Sequence, residues 1–167
     1  QVIHHCAHTP RDGQNGTWIV PDMIAAYTRM YQAGHAHSVE TWWNGVLVGG
    51  LYCINIGGMV FGESMFSHRS DASKTALAAL VAWCRTHGIA AIDCQQNTPH
   101  LASLGAHEVS RDMFMQNVAH AITQAQPVWE GIPYLERNIT LFDCATRNVN
   151  PRPLPDVTYP KDLPLQA

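Results

Sequence analysis

Two carboxylates stand where strand-like runs carry or end on them. Glu63 lies inside "MVFGESMFS", and Asp93 closes "IAAID" just before "CQQNTPH". An ionised carboxylate is costly to bury unless it is paired or hydrogen-bonded, so a carboxylate on an apolar strand marks either a solvated end or a site. If the second strand persists, alternation sends Asp93 and Gln95 to one face and Cys94 to the other. A carboxylate beside an amide can hold and orient a nucleophile's proton, which suits general-base or positioning chemistry. The competing readings are plainer: Asp93 caps local backbone, and Glu63 is a solvated turn residue. Cys94 reads as a core thiol, with a Cys94–His100 hydrolase dyad as the alternative.

Around Glu63, the hydroxyls of Ser64 and Ser67 flank Met65 and Phe66, so polar groups and a soft apolar surface occur together. The same pair, Met65 and Phe66, could simply fill core. Downstream, "SHRSDASKT" occupies the place of a phosphate loop but lacks the glycines that let backbone amides approach phosphates. A helix start with Lys74 and Arg69 nearby could still hold one phosphate or carboxylate; an ordinary capped helix is the alternative. Ten histidines cluster in "HHCAH" and "HAH", yet no set has the helix spacing of a zinc enzyme. Trp18 is either core or the wall of a pocket for an aromatic or nucleobase.

The elements that must position these residues are legible from turns and caps. A helix is expected over 21–33, with Pro21 in its first turn, Ile24, Tyr27 and Tyr31 on one face and Gly34 as stop. Asn44-Gly45 between "HSVETWW" and "VLVGGLYCINI" predicts a hairpin, and Gly57-Gly58 a second turn into the Glu63 strand. The result is three consecutive antiparallel strands. Ser70 or Asp71 should cap a helix running to about His87, with Leu77, Leu80, Val81 and Cys84 on its buried face and Gly88 closing it. "IAAID" reads as a short strand buried on both faces. Thr98, Pro99 and Gly105 bound a brief helix, and Ser110 caps another. Seven of the ten prolines lie beyond Gln126, and residues 150–167 read as an extended tail following a domain over 1–149. The order is α+β around a mostly antiparallel sheet, the layout of an acetyltransferase-like (GNAT) acyl-transfer domain.

Composition narrows the partners. With 46% hydrophobic and 14% charged residues, the chain can bury one full core. No apolar run reaches the roughly 18–20 residues needed to cross a bilayer, so no membrane role is expected. Five cysteines at irregular spacing, without a CxxC pair, fit a reducing, cytoplasmic setting. A formal charge of -3 with only two lysines, Lys74 and Lys161, argues against a broad nucleic-acid surface. Any nucleic acid must be held locally or by another part of the protein. The start "QVIHHCAHTPRDGQNGTW" reads like the middle of a longer chain.

Taken together, "GTWIVPDMIAAYTRMYQAGHAHSVETW", "GESMFSHRSDASKTAL" and "IDCQQNTPHLASLGA" resemble the bacterial leucyl/phenylalanyl-tRNA–protein transferases. The three motifs occur in consistent order over roughly residues 1 to 130. That resemblance implies a GNAT-like catalytic domain, preceded in the family by a smaller N-terminal domain that is missing here. It implies transfer of Leu or Phe, and less readily Met, from aminoacyl-tRNA to proteins beginning with Arg or Lys, marking them for degradation. No cofactor and no metal is implied. By the same resemblance Asp93 is base or orienting group for the incoming amine, Gln95 positions the reacting groups, and Glu63 binds the substrate amine and adenosine end. Ser64 and Met65 line the site, Met65 at the side-chain pocket, with Leu51 and Leu80. Trp18 stacks near the terminal adenosine. Leu51 stands where some relatives carry Met. The expectation that follows is that Glu63 and Asp93 face one cleft, and that these residues alone have weak activity at best. An acyl-coenzyme-A-dependent acetyltransferase is the rival, and the absence of glycine from "SMFSHRSDASKT" counts against it.

Overall fold

The computed structural model describes residues 1–10, 16–129, 139–143 and 165–166. In chain order the elements are α1 (Val2–His8), α2 (Pro21–Gln32), β1 (Ala36–Trp43), β2 (Val46–Ile56), β3 (Met59–Ser67) and α3 (Ala72–Thr86). They continue with β4 (Ile92–Asp93), α4 (Pro99–Ser103), β5 (Ala106–His107), α5 (Arg111–Ala121), β6 (Ile139–Asp143) and β7 (Leu165–Gln166). The strands form one sheet in the order β5-β7-β4-β3-β2-β1-β6. Its long ladders, β1 with β2, β2 with β3 and β1 with β6, are antiparallel. The short pairings of β3 with β4, and of β7 with β4 and β5, are parallel. This is the expected α+β architecture with an antiparallel-dominated sheet.

The meander follows from its turns. Asn44 and Gly45 both have positive φ, at 50° and 76°, as a type I′ hairpin requires. Gly57, at φ 57°, makes the second turn. Helix α3 covers one face of the sheet, where Val39, Leu51, Cys53, Val60 and Ile92 meet Leu77, Leu80, Trp83 and Cys84. The other face packs Leu47, Tyr52 and Phe66 against Val2 and Cys6 of α1 and Ile24 and Tyr27 of α2. Adjacent glycines of β2 serve the two faces. A Cβ on Gly49 would lie 2.5 Å from that of Ala72 at the start of α3, and one on Gly50 would lie 3.3 Å from Val2. A side chain at Gly49 would press on the backbone at the start of α3, and one at Gly50 would first meet the Val39 carbonyl oxygen of β1, at 2.8 Å.

Several local readings differ from the structure. Helix α1 carries no capping side chain and is only 7 residues long, so no sequence signal announced it. Asp71 occupies the N-cap of α3, but in a left-handed conformation, and its side chain makes no capping hydrogen bond. It pairs instead with Lys74 at 2.7 Å. Val81 is only half-buried, while Trp83 is buried. The "IAAID" strand shrinks to Ile92–Asp93. Thr98 and Ser110 cap α4 and α5 as expected, accepting from Leu101 N at 3.1 Å and Met113 N at 3.3 Å. The proline-rich 150–167 stretch lies outside the described residues apart from Leu165–Gln166, which form β7.

A column of rings closes the α3 face. His37 stacks on Trp129 at 4.1 Å, Trp129 on Trp83 at 3.9 Å, and Trp83 tilts against His87 at 4.5 Å. Trp129 Nε1 donates to Asn55 Oδ1 at 3.0 Å, and Asn55 Nδ2 donates to the carbonyls of Gly57 and Met59, each at 2.9 Å. Burial pushes the His37 imidazole down to about 4, with the Gly34 carbonyl offsetting part of this. The unfolded imidazole protonates near its ordinary 6.5. Stability from this site is therefore full above pH 6.5 and is lost as pH falls towards about 4. Denaturant titrations at pH 7 and pH 4.5 should show a drop that His37→Phe, which keeps a stacking ring but cannot titrate, reduces. An equal drop in both proteins would place the linkage elsewhere.

Candidate active site

Glu63 sits on a β-bulge. The β2–β3 register pairs Tyr52 with Ser64 and Cys53 with Gly62, leaving Glu63 as the extra residue of β3. A bulge bends its strand and re-aims a side chain, and such features gather beside active sites. The re-aimed Glu63 Oε2 accepts a hydrogen bond from Tyr27 Oη of α2 at 2.7 Å. Burial and this bond to Glu63 hold the Tyr27 phenol well above its ordinary range, so it remains a donor. The Tyr27 ring also meets Tyr52 edge-on at 5.1 Å. Glu63 makes no second hydrogen bond among the described residues, so Oε1 is available.

The bulge also divides the expected substrate-binding residues between two faces. Ser64 is the cross-strand partner of Tyr52, on the α1/α2 side with Glu63. Met65 is opposite Leu51, and both pack with Leu80 in the cluster on the α3 side. Leu51 and Leu80 are buried at 3% and 1% exposure; Met65 is half-buried.

Asp93 lies on the neighbouring strand in register with Phe61, two residues before Glu63. Its strand neighbour Ile92 belongs to the α3-side cluster, so pleating puts Asp93 on the side occupied by Glu63. Gly62 permits the approach of β4: a Cβ there would be 3.3 Å from the Asp93 carbonyl oxygen. Asp93 Oδ1 accepts from Gln95 N at 2.8 Å, leaving its other oxygen without a partner among the described residues. Strand alternation does not place Gln95, because the strand stops at Asp93. Gln95 is exposed and has φ 63°, a left-handed conformation that few non-glycine residues adopt. Strain of this kind persists where the surroundings enforce it, and the Asp93 bond is one such restraint. Asp93 thus caps local backbone with one oxygen, and its other oxygen has no partner among the described residues.

The rival chemistries find less. Cys94 is half-buried and its thiol donates to the Ile92 carbonyl at 3.8 Å. Burial, then the charge of Asp93, push it up to about 11, which keeps the nucleophilic thiolate scarce. At the start of α3, Lys74 is paired with Asp71 and Arg69 lies over the Trp43 ring at 4.6 Å, so both cations are engaged. Among the described residues no group of three His, Cys, Asp or Glu side chains could hold a metal ion. None of the described helices is long and apolar enough to cross a membrane. Trp18, at 44% exposure before α2, is not a core residue. Tyr27 is the site residue that sequence reasoning missed: its helical spacing marked it only as apolar face.

Fold and site together define an α+β domain with two strand-borne carboxylates. Each accepts one hydrogen bond and has one oxygen without a partner among the described residues. Residues 1–119 match the family described as leucyl/phenylalanyl-tRNA protein transferase, and the chain belongs to that family. A leucyl/phenylalanyl-tRNA–protein transferase of Albidiferax ferrireducens is 64% identical over 130 residues, 78% of this chain and 51% of the relative. One of Polaromonas is 59% identical over 145 residues, 87% of this chain and 57% of the relative. The chain spans about half the length of the curated relatives it matches. Among solved structures, AAC(6')-Iy in complex with a bisubstrate analogue aligns with TM-score 0.38 and 18% identity, over 80% of this chain and 85% of that one.

Proposed function

We propose that this chain carries the aminoacyl-transfer site of a leucyl/phenylalanyl-tRNA–protein transferase. The reaction moves Leu or Phe, and less readily Met, from aminoacyl-tRNA to the N-terminal Arg or Lys of an acceptor protein, marking it for degradation. The observation that carries the reading is the pair of half-satisfied carboxylates on adjoining strands, in a chain of this family. The acceptor's α-amine attacks the aminoacyl ester carbonyl, a tetrahedral intermediate collapses to the peptide bond, and the tRNA's terminal hydroxyl leaves. The ester is already activated, so orientation and removal of one amine proton are the main demands. The open oxygen of Asp93 takes that proton or orients the amine. Gln95, on its left-handed turn, positions the reacting groups. The open oxygen of Glu63 holds the aminoacyl group's own ammonium and the adenosine end, with Ser64 beside it. Exposed Trp18 offers a face for the terminal adenine to stack on. Met65, soft and unbranched, is suited to admit either an aliphatic or an aromatic side chain on the α3 side of β3, across the strand from Glu63 and beside Leu51 and Leu80.

The test is a pair of titrations on the full-length protein, one with a phenylalanyl-adenosine analogue and one with acetyl-coenzyme A. Saturable binding of the analogue alone, together with transfer of Phe to an Arg-initiated peptide, is the expected result. Binding of coenzyme A without the analogue would sink the reading in favour of acyl-coenzyme-A chemistry.

A further inference from the structure

Among the described residues, three other than glycine have positive φ: Asn44 at 50°, Asp71 at 62° and Gln95 at 63°. Asn and Asp are the types whose short polar side chains ease that conformation, so Asn44 and Asp71 need no further cause. Gln95 has no such help, and its surroundings must hold it. One restraint is the bond from its N–H to Asp93 Oδ1 at 2.8 Å. Another follows at once, where Gln96 N donates to the Cys94 carbonyl at 2.7 Å. Both bonds span two residues. They shape the turn but do not fix where it sits.

The restraint from outside the turn comes from beyond α4. Asn97 Nδ2 donates to Glu108 Oε1 at 3.0 Å. Between those two residues the chain runs through α4, reverses at Gly105 with φ 98° and returns through β5. The excursion is well seated: Thr98 caps α4, and Leu101 and Leu104 pack against the α3-side cluster. Its neck is a different matter. Strands β4 and β5 do not pair with each other, each being bonded to β7, so no direct ladder joins the two ends. The Asn97–Glu108 bond closes the neck instead. A carboxylate acceptor makes it the stronger kind of hydrogen bond. Both residues are exposed, so the bond selects among conformations of the turn and does not hold the fold together.

We propose that Glu108, acting through Asn97, is a positioning residue of the candidate active site. Its carboxylate anchors the 94–98 turn, keeps Gln95 left-handed, and so keeps Gln95 N on one oxygen of Asp93. Glu108 works at one remove: its partner Asn97 lies two residues beyond Gln95. The inference rests on the proposed transfer reaction for its kinetic readout, whereas the restraint itself can be read without turnover.

The test compares Glu108→Ala, Glu108→Gln, Asn97→Ala and the double alanine variant in the full-length protein. Each single alanine variant should lower kcat for Phe transfer by about 5–10-fold, the effect of a slightly misplaced reacting group. KM for the aminoacyl-tRNA should stay within about two-fold, and the melting temperature should barely move, because both side chains are exposed. Glu108→Gln keeps an acceptor oxygen and should restore kcat to within about two-fold of wild type. The double variant should be no slower than either single one, since all three lose the same bond. Amide exchange at Gln95, followed by NMR, should quicken about five-fold in the alanine variants and not in Glu108→Gln. In an active enzyme, an unchanged kcat or unchanged Gln95 exchange in Glu108→Ala overturns the proposal. So do losses that multiply in the double variant, or a Gln variant as slow as the alanine one. Quickened exchange with no transfer by any protein, wild type included, would overturn the reaction and leave the restraint standing.

Discussion

Replacing Asp93 by Asn in the full-length protein is expected to lower kcat for aminoacyl transfer by about 10²–10³-fold, within the usual range for a lost general base. The fold should survive, because an Asn side-chain oxygen can still accept from Gln95 N and preserve the turn. Melting temperature should therefore stay close to wild type. Asp93→Ala removes the acceptor as well. It should show the same loss in kcat, a raised KM as Gln95 leaves its left-handed conformation, and a stability loss of about 0.5–1.5 kcal/mol. The two variants separate the turn-holding bond to Gln95 N from the proton-removing role proposed for this carboxylate. If Asp93→Asn turned over at nearly the wild-type rate while Asp93→Ala did not, Asp93 would be the maker of a turn and proton removal would lie elsewhere.

The second large effect is on stability. Trp83 is 1% exposed on α3, stacks against Trp129 and meets His87 at a tilt. Trp83→Ala should destabilise by about 3–5 kcal/mol, the usual cost of emptying a tryptophan site in a close-packed core. For a chain of this size each kcal/mol shifts the melting temperature by roughly 2–4 °C, so a fall of about 6–20 °C is expected. Trp83 Nε1 has no hydrogen-bond partner among the described residues, so Trp83→Phe leaves no partner unsatisfied. It should lose about half as much or less, through volume alone. A Phe variant as unstable as the Ala variant would mean that the indole nitrogen holds something, such as a buried water. The same cluster contains Leu51, Leu80 and the edge of Met65, so slackness here should also blunt discrimination between side chains at the proposed pocket.

What could be read from the sequence was local. Asn44-Gly45, Gly57, Pro21 at a helix start, the capping hydroxyls of Thr98 and Ser110, and the spacing of Leu77, Leu80 and Cys84 each act over a few residues, so the meander and four of the helices were legible. The three motifs carried the family, and with it Asp93, Gln95 and Glu63 as candidates. Contacts between distant parts of the chain decided the rest. The bulge at Glu63 depends on how β3 registers against β2, and nothing within "GES" states that register. Tyr27 reaches Glu63 across 36 residues, so its helical spacing could mark it as apolar but not as a partner. Gln95 lies on a left-handed turn two residues past Asp93, where β4 ends; alternation assumed a longer strand. One extra residue in β3 put Glu63 and Met65 on opposite faces, since a strand's side chains alternate with period two and a bulge resets the count.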